Sequence, residues 1–316
     1  MLKYLIIQLA KDSVSFCHYP KGEKSCELIP IESLRDAIFW AMKENLNIQV
    51  LYPDYTIPDE YKILLDSIDH ADIVSSESED KSLLQSADIM VHDNWVDINE
   101  PSLYSISAHV IRTPKTDLFQ NTENLIVLLK SIKRLIITIT DIDSFSNDDF
   151  NRYSKLLDEL VSIVKNEYLK GHAIQFNILT DRMLLDEMNN CNAGAESITL
   201  APNGNFYICP AFYLDGAESV GNLKDGVDIK NKQLYRLGYA PICRTCDAYQ
   251  CRRCIWLNKK TTLEVNTPSH EQCIVSHIER NASKKLLDSI REIGDFLPEK
   301  VIEKIDYLDP FEKLNR

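Results

Sequence analysis

Seven of the nine cysteines in this chain fall between residues 191 and 273: Cys191, Cys209, Cys243, Cys246, Cys251, Cys254 and Cys273. The middle four read C-x2-C-x4-C-x2-C, and the first two enclose a segment ending Gly204-x4-Cys209. A Cys-x2-Cys turn aims two successive thiols at one point, so a single metal can take both. Thiols this dense, in a chain whose opening does not read as a secretory signal, are expected as metal ligands rather than disulfides. Cys243, Cys246, Cys251 and Cys254 could by themselves make one four-thiolate zinc site, which leaves Cys191, Cys209 and Cys273 unexplained. Seven soft ligands exceed the needs of one tetrahedral ion and imply two sites, or one site with spares.

These thiols need elements to position them. Ser197–Ala201 and Asn205–Cys209 alternate apolar and polar residues around Pro202-Asn203-Gly204. The Asn-Gly pair reads as a two-residue type I′ turn, so the segment is expected as a hairpin that brings Cys191 and Cys209 together at its base. Ahead of it, residues 1–190 alternate two patterns. Short β-branched runs predict strands over Lys3–Leu9, Ser13–His18, Ile48–Tyr52, Asp88–His92, Ser107–Arg112, Leu135–Thr140 and Ala173–Leu179. Apolar residues at helical spacing predict helices over Ile31–Asn45, 121–133 and 147–169, and another from Ala282 onward. The acidic stretch Ser75–Lys81 reads as a surface loop. Strand–helix alternation implies an α/β domain with a mostly parallel sheet, either open or a partial barrel. The expected organisation is an α/β domain over 1–190, a small cysteine-rich module over 191–280, and a C-terminal helix and tail over 281–316.

Bulk properties narrow the partners. Hydrophobic residues make up 44% and charged residues 26%, the balance of an ordinary globular chain. No apolar run reaches the length of a membrane span, so no membrane partner is expected. The opening Met1 to Leu9 is apolar but short, and it runs into Lys11-Asp12-Ser13 as a first strand would. A reducing cytosol is the expected compartment. Net charge is −13, which argues against nucleic-acid binding. The acids concentrate over residues 54–100, whereas 243–260 holds Arg244, Arg252, Arg253, Lys259 and Lys260 against Asp247. Cations there would offset the negative charge of a metal held by four thiolates, or simply form a solvated face.

The whole cysteine set resembles the SPASM domain found behind radical SAM peptide-modifying enzymes. Cys191-x12-Gly204-x4-Cys209 fits the first part of that family's pattern. Cys243-x2-Cys246-x4-Cys251-x2-Cys254 fits the second with its last two gaps one residue short, and Cys273 supplies the last cysteine. Gly221-Asn222-Leu223 sits where such domains commonly carry Gly-Asn-Leu. The resemblance implies a partial (β/α) barrel like the radical SAM fold, followed by a SPASM module with a β-hairpin. It also implies one or two 4Fe–4S clusters, with zinc as the alternative. Cys243, Cys246, Cys251 and Cys273 would hold one cluster. Cys191, Cys209 and Cys254 would hold the other, its fourth position open or filled from elsewhere.

Radical SAM enzymes hold their catalytic cluster with C-x3-C-x2-C near the first strand. This chain has Cys17 and Cys26 there, separated by eight residues. Reductive cleavage of S-adenosylmethionine is therefore not expected from the chain alone. The opening Met1–Ile6 and Ser15–Tyr19 resemble the start of the CXXX-repeat peptide maturases, which lack the catalytic motif. That likeness implies a radical SAM peptide-modifying enzyme and a cysteine-rich precursor peptide as partners. The implied role is accessory, by electron transfer or substrate presentation. The competing reading is a zinc-stabilised binding module with no redox role.

Other residues have plainer expected roles. Cys17 and Cys26 fall outside the pattern, so their replacement is expected to leave metal content unchanged. His18 beside Cys17 reads as structural more readily than as a ligand. His270 and His277 flank Cys273 and could substitute as ligands. Trp256 and Tyr249 are expected to shield the metal from water. No Ser/His/Asp nucleophile pattern is present, and nine glycines in the chain give little for a phosphate-cradling loop.

Overall fold

The computed structural model describes residues 2–95, 106–185, 192–248 and 254–302. Cys191, Cys251, Tyr249, Arg252 and Arg253 lie outside the described residues. The chain begins β1 (Tyr4–Gln8), α1 (Ile31–Lys43), β2 (Asn47–Leu51), α2 (Asp59–Asp66), β3 (His70–Ser75), α3 (Lys81–Ser86) and β4 (Ile89–His92). It continues through β5 (Ala108–Thr113), α4 (Lys115–Gln120), α5 (Thr122–Ser131), β6 (Arg134–Ile139), α6 (Asn147–Leu169), β7 (Gln175–Phe176) and α7 (Asp181–Leu184). There follow β8 (Ser197–Leu200), β9 (Phe206–Tyr207), α8 (Pro210–Leu214), β10 (Gly221–Asn222), β11 (Gly226–Val227), α9 (Ile255–Thr262) and α10 (His270–Arg291).

Among the described residues nine strands form one sheet in the order β7-β6-β5-β4-β3-β2-β1-β8-β9. Every pairing is parallel except β8 with β9. From β1 to β7 each crossover steps the same way along the sheet, and right-handed crossovers then place the helices on a single face. The side chains agree. Leu5 and Ile7 point to the helix side, packing with Leu34 and Ile38 of α1, whereas Ile6 between them faces the other way with Leu51, Ile73, Val91 and Val110. That second face is covered by Val14 and Phe16 from the segment after β1.

That segment was expected as a strand over Ser13–His18, as one of the short β-branched runs. It is not one. Its backbone is tied to the sheet singly, Val14 N–H donating to the Tyr52 carbonyl at 2.8 Å. The strand expected over Ala173–Leu179 shortens to Gln175–Phe176 for a related reason. The Asn177 amide bonds both the N–H and the carbonyl of Ile137 (3.1 and 3.0 Å), taking the place of ladder backbone. The 147–169 helix matches its expected limits, fixed by a Ser146/Asp149 capping box. Within Ser75–Lys81, residues 76–80 form an irregular loop with Glu77 and Glu79 exposed, and its Asp80 is buried and caps α3 through the Ser82 and Leu83 amides.

The hairpin forms, but with a different turn. Gly204 N–H donates to the Ala201 carbonyl (2.9 Å) and Ala201 N–H to the Asn205 carbonyl (3.0 Å), leaving Pro202, Asn203 and Gly204 as a three-residue loop. Gly204 has φ +79°, whereas Asn203 is not left-handed as a type I′ turn would require. β8 also joins the main sheet directly, beside β1. The C-terminal helix starts at His270 under a Ser269 cap, twelve residues before the expected Ala282, and runs unbroken past residue 280. Its Val275, Ala282, Leu286, Leu287 and Ile290 enter the same core as α6 and β6. The elements of the expected 191–280 module thus share sheet and core with the first 190 residues.

Candidate metal centres

Of the seven pattern cysteines, five are described, and they line two different cavities. Cys243, Cys246 and Cys273 line the first, together with His18, His277 and Glu279. Cys209 and Cys254 line the second, with Cys17, Tyr19 and Trp256. Cys191 and Cys251 fall on residues outside the described set.

The first cavity measures about 730 Å³ counting its open mouth. Cys243 opens a short 3-10 turn over Cys243–Thr245, which carries Cys246 to the same side. Cys273 comes from the first turn of α10, and His277 lies one turn further along the same helix face. The Ala248 N–H points at the Cys246 sulfur (3.3 Å), the kind of contact that favours a thiolate. His277 Nδ1 bonds the Cys273 carbonyl at 2.8 Å, and its Nε2 lies 3.1 Å from Asp247 Oδ1 and 3.8 Å from Cys246 Sγ. Its imidazole is held above the ordinary value first by the Cys246 sulfur, against the opposite pull of burial. Cys246, Asp247 and His277 put three ligand atoms within 4.8 Å of one another. A histidine whose Nδ1 is anchored to a carbonyl presents Nε2 in the manner of metal-binding histidines. His270, by contrast, is exposed at the helix start.

Asp247 was read from the sequence as one acid among many cations. In the structure it is buried beneath the Cys243–Cys246 turn and pairs with Arg280 (3.0 Å) as well as His277. It ties the thiol turn to α10. Nothing in its spacing marked it, since a lone Asp after Cys246 carries no pattern.

The second cavity, about 390 Å³ with its mouth, is nearly all apolar in its walls: Ile6, Phe16, Ala193, Pro210, Ile255 and Trp256. Cys209 sits at the N-terminal end of α8 and Cys254 at that of α9, where Leu257 N–H points at the Cys254 sulfur (3.5 Å). Trp256 lines this cavity and is buried. Its indole N–H is anchored on Asp215 (2.6 Å), its ring meets Tyr19 edge-on, and Lys260 reaches both Asp215 and the ring. Lys259 lies over Phe212. These two lysines therefore engage Asp215 and aromatic rings, whereas Arg244 is exposed.

Solved structures similar to this chain include anSMEcpe with bound AdoMet, at a TM-score of 0.65 and 13% identity over 95% of this chain and 98% of that one. A second is anSMEcpe with AdoMet and Cp18Cys peptide (TM-score 0.63, 14% identity, 93% and 100% coverage). Streptococcus suis SuiB bound to precursor peptide SuiA is a third (TM-score 0.50, 12% identity, 86% and 76%). The chain has a radical-SAM-like (β/α) fold. No family model and no curated protein matches the sequence. Among the described residues no helix is long and apolar enough to cross a membrane.

Proposed function

We propose that this chain is an accessory protein in the maturation of a ribosomally made, cysteine-rich peptide, holding iron–sulfur clusters at its two thiol groups for a partner radical SAM enzyme. One observation carries the reading: in a radical-SAM-like fold, the five described pattern cysteines sort into two cavities along the division that the SPASM-like spacing implies. The donor chemistry fits. Soft thiolates suit iron–sulfur clusters, amide N–H groups point at Cys246 and Cys254, and the second cavity is walled by apolar side chains. When bound, such clusters supply one-electron transfer at a potential set by burial and hydrogen bonds to sulfur. The chain's own part is to fix the thiols, exclude water with Trp256 and place His277 beside Cys246. Cys17 and Cys26, in place of C-x3-C-x2-C, support an accessory role rather than independent cleavage of S-adenosylmethionine. The peptides named in the similar anSMEcpe and SuiB structures support a peptide partner here.

Anaerobic purification with iron, sulfide and zinc analysis tests this reading. Brown protein with iron and acid-labile sulfide is expected, together with capture of a cysteine-repeat peptide. Colourless protein with stoichiometric zinc would establish the competing reading, a zinc-stabilised binding module. The close approach of Cys246, Asp247 and His277 is the observation that favours it.

A further inference from the structure

The second cavity contains a thiol that the spacing excluded. Cys17 lines it beside Cys209 and Cys254, and packs in the same cluster with Ile255, Trp256 and Phe212. Its position is fixed by the fold. Arg112 of β5 is buried and donates from Nε to the Cys17 carbonyl (2.8 Å) and from Nη2 to the Tyr19 carbonyl (2.7 Å), with its other nitrogen on Asp93. A guanidinium gripping two carbonyls of one loop holds the intervening backbone, and with it the direction of the side chains.

Tyr19 gives a second, independent sign. Its side chain lines the cavity and is buried near the Ser15 side chain, and among the described residues its hydroxyl makes no well-formed hydrogen bond. The neighbouring Ser15 hydroxyl donates to the Tyr19 carbonyl at 2.6 Å. A buried O–H without an acceptor is costly, and a cluster sulfur or thiolate in this cavity would supply one.

We infer that Cys17 is a thiolate ligand of this site, joining Cys209 and Cys254 and taking the position that the sequence pattern leaves open in one iron–sulfur cluster. The inference rests on the cluster reading of the cysteines. The earlier expectation that Cys17 is irrelevant to metal binding gives way to its place in the cavity. Cys26, exposed and outside the lining residues, keeps that expectation.

The test is anaerobic reconstitution of the full chain with iron and sulfide for wild type, Cys17→Ala, Cys17→Ser and Cys26→Ala. Readouts are iron and sulfide content, EPR of the reduced protein, and iron loss to a chelator. In Cys17→Ala one cluster signal should change shape and its iron should pass to chelator at least about tenfold more readily, by analogy with the loss of even outer-shell support. The other cavity's signal should persist, which certifies the fold. Cys17→Ser, with an oxygen ligand, should keep the iron but shift that same signal, and Cys26→Ala should match wild type. A Cys17→Ala protein with wild-type spectra and chelator resistance would overturn the assignment while leaving the cluster reading intact. A wild-type chain that takes up neither iron nor sulfide would overturn the cluster reading and the assignment with it.

Discussion

Asp247 is a buried carboxylate held between the His277 imidazole and the Arg280 guanidinium. Arg280 is itself buried, and among the described residues its Nε and Nη1 make no hydrogen bond, so Asp247 is its compensating charge. Replacing Asp247 with Ala should cost roughly 3–5 kcal/mol in urea unfolding, the usual result of stranding one half of a buried pair. Arg280→Met in the same background should recover much of that loss. His92 gives a pH dependence of opposite origin. It is buried on β4, 3.1 Å from His109, and burial first and His109 second lower it to about 3. The folded chain then binds this proton less readily than the unfolded one. Its stabilising share is complete above about 6.5 and is lost as pH falls toward about 3. Unfolding free energies from urea titrations between pH 7 and 4 should fall less steeply for His92→Gln, by up to roughly 1.4 kcal/mol per pH unit. At this scale the sequence was legible where residues repeat at a spacing, as Cys243 and Cys246 do. Cys17, Tyr19 and Asp247 have no such repeat, and only the chain's path reveals their surroundings.

The elements were most legible where local chemistry and long-range packing agree. Helix α6 has both a capping box and an eight-residue buried stripe, so its limits were readable to the residue. Strand β3 was missed because Asp72 and the flanking His70 interrupt its apolar pattern, yet it lies between β2 and β4 with Ile73 and Val74 buried on opposite faces. The hairpin was foreseen and its turn was not, because Pro202 before Asn203 shifts the left-handed position onto Gly204. Glycine matters more at β10. Gly221 has φ +131°, and a Cβ there would meet the Gly226 carbonyl oxygen at 2.0 Å. Gly221→Ala should therefore disrupt the β10–β11 pair and the Asn205–Asn222 bridge that ties it to the hairpin loop. Raised amide exchange over 205–227, with exchange in α6 unaltered, is the expected signature, alongside about 1–3 kcal/mol of lost stability.

At the scale of the molecule, the fold class followed from strand–helix alternation, but the seam between its parts did not. Composition changes after Asn190, and the sheet does not: β8 pairs with β1 along Tyr4–Ile7, and α10 lays Leu286 and Leu287 into the core of α6 and β6. A fragment ending at residue 190 would leave the β1 edge unpaired and that core open. It should be insoluble or molten, with no cooperative urea transition, whereas the full chain should unfold in one. Recovery of a stable, cooperatively folding 1–190 fragment would show the sheet to be complete without β8.

Cys17 and His18 face different cavities while joined by a single peptide unit, a span of 3.8 Å between α-carbons. Arg112 grips the Cys17 carbonyl and His18 Nδ1 bonds the Ile139 carbonyl, so both residues of this short piece of chain are pinned to the sheet. Reciprocity then governs the pair. By whatever factor occupancy of one cavity alters affinity at the other, the second must alter the first by the same factor. Were both cavities to bind a metal or cluster, they would form one thermodynamic system, and the order of filling could not change its final free energy.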